Sequence, residues 1–168
     1  VIVGLEAASQ DQLDAYQKHT TLDDNEQAVR VLQQHGVECY ATVILGIDWT
    51  REQFQTLYRF LRRLALVFVN LQPFTPMPHT LYFEQHKPQF IIPYTEHHRW
   101  DMAHLVVRPT QLSVRRFYWE TIKLYYKLMV NPKQGWYMAR RYGLWDTLKL
   151  SLGAGRISLQ YLYKVLRG

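Results

Sequence analysis

The sequence predicts an α/β fold built on a parallel sheet, and three observations carry that expectation. Three short apolar runs, residues 1–4, 40–45 and 66–71, each stop at a turn. The intervals between them are long and carry apolar residues at helical spacing. Strands separated by helical crossovers pair in parallel, with right-handed connections. In such sheets ligands bind at the carboxyl ends of the strands. The polar groups that matter are therefore expected at residues 4–6, 42–48 and 72–80.

Residues 1–4 read as the end of a buried strand. Ser9, with Gln12 three places on, is positioned to cap a short helix whose apolar side is Leu13 and Tyr16. Thr21 with Asp24 opens a second helix. Its apolar positions Leu22, Ala28, Val29, Val31 and Leu32 leave one side polar, and Gly36 stands where a left-handed terminating residue belongs. The central stretch, residues 37–54, gives a strand at 40–45 that ends at Gly46. Thr50 with Gln53 then opens a helix over 51–65 with Phe54, Leu57, Tyr58, Leu61 and Leu64 inside and Arg51, Arg59, Arg62 and Arg63 outside. The third strand, 66–71, is almost without polar interruption, as a strand covered on both faces should be.

Five of the seven prolines fall between 73 and 93, so that segment is expected to be mostly loop, with one helical turn near 81–85. Helical patterns resume near Thr95 and strengthen after Ser113. Phe117, Thr121 or Ile122, Leu124, Tyr125 and Leu128 share a face there. Asn131-Pro132 breaks that helix, and two short helices, 144–152 and 157–166, are expected on either side of Gly153 and Gly155.

Charge is uneven. Up to Leu112 there are nine Lys and Arg against twelve Asp and Glu; from Ser113 there are eleven against Glu120 and Asp146 alone. The single cysteine, Cys39, excludes a disulfide framework within the chain and any cysteine-based metal site made by the chain alone, and it fits a reducing, cytoplasmic setting. It reads as a small hydrophobe at a strand start. Adjacent His97 and His98 cannot both point one way on a helix, and the other histidines lack ligand spacing. No glycine-rich phosphate loop, nucleophile elbow or zinc-protease motif is present. No window is long and apolar enough for a membrane span, and no signal peptide is seen. The chain opens inside an element without an initiator Met, as a piece of a longer protein would.

The residues supply candidates without naming a reaction. Glu6, two past Gly4 at a strand end, is placed to accept hydrogen bonds from a sugar diol. Lys18 is an isolated base on an otherwise acidic stretch.

The ordered motifs GLEAASQDQLDAYQK, GVECYATVILGID and VNLQPFTPMPHT resemble the C-terminal half of a radical S-adenosylmethionine (SAM) enzyme barrel, of the type often preceded by a cobalamin-binding domain. The resemblance extends through WDMAHLVVRPTQLSVRRFYWE, to about residue 130. It implies a partial (β/α) TIM-type barrel, about three parallel strands with helices over 1–94, followed by a helical C-terminal extension over 95–168. It implies SAM contacts from Glu6 (ribose), Lys18 (methionyl carboxylate), Thr42 near the ribose, Gly46 by close backbone approach, and the stretch from Gln72 to Thr75 beside the adenine. Asp48 stands where this pattern has proline, and His79 where it has glycine.

The intact parent would hold a [4Fe–4S] cluster on cysteines absent here, with cobalamin a further candidate cofactor. It would cleave SAM reductively to a 5′-deoxyadenosyl radical that abstracts hydrogen from a small-molecule substrate. The piece alone is expected to be inactive, to need the missing N-terminal half as partner, and to self-associate through open sheet edges. An alternative from another class is a non-catalytic module whose basic, aromatic tail binds RNA or an anionic membrane surface. Its contact residues would be Arg115, Arg116, Lys123, Lys127, Arg140 and Arg141 among Trp119, Tyr125, Trp136 and Tyr142. DNA is not an expected partner.

Overall fold

A computed structural model describes residues 1–167. Three parallel strands, β1 (Ile2–Glu6), β2 (Tyr40–Leu45) and β3 (Phe68–Pro73), form one sheet in that order. Among the described residues seven α-helices accompany them: α1 (Gln10–Ala15), α2 (Leu22–Gln34), α3 (Arg51–Arg63), α4 (Leu81–His86), α5 (Val114–Met129), α6 (Pro132–Tyr142) and α7 (Leu144–Arg167). The chain divides into two compact units. One comprises residues 1–50 and 68–112, the other 51–67 and 113–168.

The first unit holds the sheet, whose two faces differ. Ala41, Val43 and Leu45 of β2 are fully buried, whereas the alternate residues Thr42 and Ile44 are half-buried and Tyr40 is exposed. That period of two means one face is closed by packing and the other is partly open. Val1 and Ile2 lie largely in solvent, so the opening run is not a buried strand end. The buried residue is Leu5, and the strand continues to Glu6. The pairing of β1 with β2 slips between Gly4 and Glu6, and Glu6 has φ 62°. A bulge of this kind re-aims a side chain at a sheet end.

The helix ends follow local chemistry with one exception. α2 starts at Thr21 as expected, and Thr21 and Asp24 close a reciprocal capping box there. At the other end Gly36, φ 66°, lets its own N–H reach Gln33 O and that of Val37 reach Leu32 O, a Schellman closure. Ser9 has the extended backbone of a capping residue on α1, but its side chain makes no capping hydrogen bond. On α2 the buried residues are Val29 and Asn25, and Ala28 and Val31 face water. Asn25 Nδ2 donates to Leu5 O at 3.3 Å, so the polar group inside fixes α2 to the end of β1.

The proline-rich segment is mostly loop around α4 and a 3₁₀ turn (Lys87–Gln89). Near Thr95 only a 3₁₀ turn forms (His97–Arg99), and the chain stays irregular up to α5. Ile92, Val106 and Val107 give this part of the first unit its own small core.

In the second unit α3 buries Phe54, Leu57, Phe60 and Leu61 and leaves its four arginines outside. It ends at Arg63, where Ala65 adopts φ 51°. The carbonyl of Leu66 accepts Gln134 Nε2 at 2.6 Å, which takes Leu66 out of the strand. β3 therefore starts at Phe68, two residues later than its apolar run. On α5 the inward residues include Phe117, Thr121, Leu124 and Leu128, so Thr121 and not Ile122 occupies the core face. Phe54 and Phe117 meet edge to face with ring centroids 5.4 Å apart.

The C-terminal segment departs most from expectation. Asn131-Pro132 ends α5 but also starts α6, since Asn131 Oδ1 caps Lys133 N and the proline takes a first-turn position. The two short helices expected beyond are one continuous α7, running straight through Gly153 and Gly155.

Candidate functional site at the carboxyl edge of the sheet

The bulge after Gly4 is what brings a carboxylate to this edge. A side chain on Gly4 would occupy the space taken by the Glu6 carboxylate, so the glycine leaves room for Glu6 to fold back over β1 in its present rotamer. Glu6 itself sits in the left-handed region, sparsely used by non-glycine residues and common at functional sites. Beyond α1 the chain turns through Gln17, φ 54°, and Lys18 N donates to Leu13 O at 2.9 Å. That turn delivers Lys18 Nζ to within 3.2 Å of Glu6 Oε1. Glu6 is largely buried and Lys18 about half exposed, so the pair is open to solvent on the lysine side.

Tyr16 stands in the same neighbourhood. Burial first, then the negative charges of Asp48 and Glu6 and the neighbouring Tyr82 phenol, push its hydroxyl up to about 12. Tyr82 comes from α4 and its hydroxyl donates to Ala15 O at 3.3 Å, tying the proline-rich segment to the end of α1. Neither Tyr16 nor Tyr82 is among the site residues expected from the sequence, which cast Tyr16 as apolar packing. In the sequence Asp48 stands out only as a departure from the family pattern. Their convergence is non-local, and no spacing rule would have found it.

The remaining expected residues are spread along the sheet. Thr42 is half-buried on the partly open face, in register with Gly4 of β1 and Asn70 of β3. Asn70 completes a polar row that the third strand's apolar character obscured. Gln72 pairs with Ile44 one step further along. Thr75 Oγ1 donates to Pro73 O at 3.0 Å, closing the turn that leaves β3. Gly46 does permit a close approach, but by the chain itself: a Cβ there would collide with the Trp49 indole and the Asp48 carboxylate. Trp49 is buried beside it and its N–H bonds Gly46 O at 3.3 Å. His79, where the family pattern has glycine, holds the left-handed backbone a glycine would adopt, φ 64°.

The donor set bears on what could bind. Cys39 is buried at the amino end of β2, and burial raises its thiol pKa, so it is held as a neutral thiol away from the carboxyl edge. Among the described residues no group of three or more His, Cys, Asp or Glu is placed to hold a metal ion. These residues do not fit an iron–sulfur cluster, which needs thiolates. A largely buried carboxylate beside a lysine, next to a row of small and amide side chains, does fit a polar molecule bearing hydroxyl and carboxylate groups.

A three-stranded parallel sheet with a charged pair at the carboxyl end of its first strand and a polar row on its partly open face has the arrangement of an α/β ligand-binding sheet. No protein-family profile matches the chain. Among curated proteins, the chain is 28% identical to an anaerobic magnesium-protoporphyrin IX monomethyl ester cyclase of Cereibacter sphaeroides, over 92% of this chain and 26% of the cyclase. It is 27% identical to a hopanoid C-3 methylase of Methylococcus capsulatus, over 89% of this chain and 27% of the methylase. A cyclase of Rubrivivax gelatinosus is 26% identical over 82% of this chain and 27% of its own length. These relatives are by name enzymes, two cyclases and a methylase. The chain spans about a quarter of their length.

Proposed function

We propose that this chain is the SAM-side portion of a radical SAM iron–sulfur enzyme: residues 1–94 are part of a (β/α) barrel wall and 95–168 a helical extension. The observation that carries the reading is the Glu6–Lys18 pair, 3.2 Å apart, at the carboxyl edge of three parallel strands beside the register slip between Gly4 and Glu6. The similarity to a cyclase and a methylase supports it.

The chemistry supplied by the parent's cofactors would be one-electron reductive cleavage of SAM, with a cluster held by the remainder of that protein. This chain's contribution is binding and orientation. The Glu6 carboxylate accepts hydrogen bonds from the two ribose hydroxyls. Lys18 reaches from the exposed side toward the methionyl carboxylate while still flanking Glu6. Thr42 and Asn70 offer neutral hydrogen-bonding groups on the open face, and the backbone from Gln72 to Thr75 passes beside the adenine.

Saturation-transfer NMR of the chain with SAM tests this without turnover. Transfer to the ribose protons is expected, with Glu6→Gln weakening binding by roughly 10-fold or more, as loss of a charge-assisted hydrogen bond should. No transfer to SAM, or an unchanged affinity in Glu6→Gln, refutes the assignment.

A further inference from the structure

The two units carry opposite charge. The first holds five Lys and Arg against eleven Asp and Glu; the second holds fifteen against three. Within the second unit several bases are already engaged. Arg116 and Lys123 face the buried Glu120, and Lys127 lies over the Tyr58 ring. The C-terminal helix presents something different. One side of α7 is packed, with Tyr161 and Val165 buried and Tyr161 set against Tyr118 and Tyr125 of α5. Another side is apolar and bare: Trp145, Leu148, Leu152, Leu159, Leu162 and Leu166 are between 38% and 73% exposed. At about 100° per residue these six fall within an arc of roughly 100°. Lys149 and Arg156 fall at the border of that arc, both exposed, Lys149 in a solvent-facing ion pair with Asp146 at 3.1 Å, and Trp136 of α6 is 71% exposed.

A stripe of leucines with a tryptophan, edged by cations on a unit with a large positive excess, has the composition of a helix that lies in a membrane interface. No helix among the described residues is long and apolar enough to cross a membrane, so the surface is the relevant location. We propose that α7 docks this unit onto an anionic phospholipid surface, its leucine stripe entering the headgroup–acyl boundary while Lys149, Arg156 and the bases of α6 meet lipid phosphates. Charge complementarity selects this occupant. A second copy of the same unit would bring like charges together, and a nucleic acid would satisfy the bases but leave the leucines in water. The proposal is independent of the SAM site, which lies in the other unit.

The test is flotation of the whole chain with large unilamellar vesicles, either of phosphatidylcholine with about one quarter phosphatidylglycerol or of phosphatidylcholine alone. Binding is expected to the anionic vesicles, with a blue shift in tryptophan fluorescence, and to fall at least about 10-fold in high salt. The double variant Leu152→Glu, Leu159→Glu, at exposed positions, is expected to lose binding by a similar factor with an unchanged far-ultraviolet spectrum. Arg140→Gln with Arg156→Gln is expected to weaken the anionic preference selectively, which keeps the test decisive if the first variant misfolds. Failure to float with anionic vesicles, or binding indifferent to the variants, overturns the proposal. So would a dimer in sedimentation that the leucine variant dissociates, or binding to a homopolymeric RNA that the leucine variant abolishes.

Discussion

Tyr16 makes the electrostatics of the carboxyl edge measurable. Its hydroxyl is raised from the ordinary 10.0 to about 12, by burial and then by Asp48 and Glu6. In the unfolded chain it would lose its proton near the ordinary value; in the folded chain it keeps it. Between the two values the folded state holds more protons, so stability is fully present below about pH 10 and is lost as pH rises toward about 12. Two pH units at about 1.4 kcal/mol each put the loss at roughly 2–3 kcal/mol, a large part of what a domain of this size possesses. Tyr16→Phe removes that contribution, so its stability should fall less steeply over the same window than that of the unaltered chain. Urea unfolding at several alkaline pH values measures the difference, and a tyrosinate absorbance titration should show one late-ionising group fewer in the variant. Asp48→Asn should shift the late group downward by only part of the interval, because burial is the larger cause. Identical pH slopes for the unaltered chain and Tyr16→Phe would refute the raised hydroxyl of Tyr16.

Glu120 is 7% exposed, with Arg116 Nε at 2.8 Å, Lys123 Nζ at 2.5 Å and Arg51 Nε at 3.8 Å. The Arg116 contact lacks hydrogen-bond angles despite its length, so it is a contact of charges. Glu120→Gln leaves those cations facing one another and should cost about 3 kcal/mol, seen as a lower unfolding temperature that high salt partly restores. His79→Gly relieves a left-handed histidine, φ 64°, and should raise stability by up to about 1 kcal/mol in the same melts. Gly4→Ala should displace the Glu6 carboxylate and separate it from Lys18, read as altered Lys18 side-chain resonances and weaker SAM binding, with little change in far-ultraviolet spectrum.

What was legible in the sequence was what neighbours decide. The helix start at Thr21 with Asp24, the Gly36 closure, the strand at 40–45 and the arginine-bearing outer face of α3 all depend on residues within a turn of one another. The errors fall where distant contacts override local preference. Leu66 has the composition of a strand residue, but its carbonyl is claimed by Gln134, 68 positions away. Gly153 and Gly155 argue for a break, yet α7 continues because Tyr161 and Val165 are held against the rest of their unit. Asn131-Pro132 was seen as a stop, when a cap followed by a first-turn proline is equally a start. At the site, Glu6 follows from its strand-end position and Lys18 from the family resemblance, and the two do converge. Tyr16 and Asp48 meet only through folding, and Gly46 makes room for Trp49.

The unbroken course of α7 through its two glycines has a mechanical consequence. Each glycine costs a helix interior close to 1 kcal/mol relative to alanine, and a side chain at either would touch nothing. The helix is therefore weakest at mid-length. Amide protons there should exchange with solvent sooner than those around Tyr161, and the rod can bow at that point to follow a curved support while its packed end stays anchored.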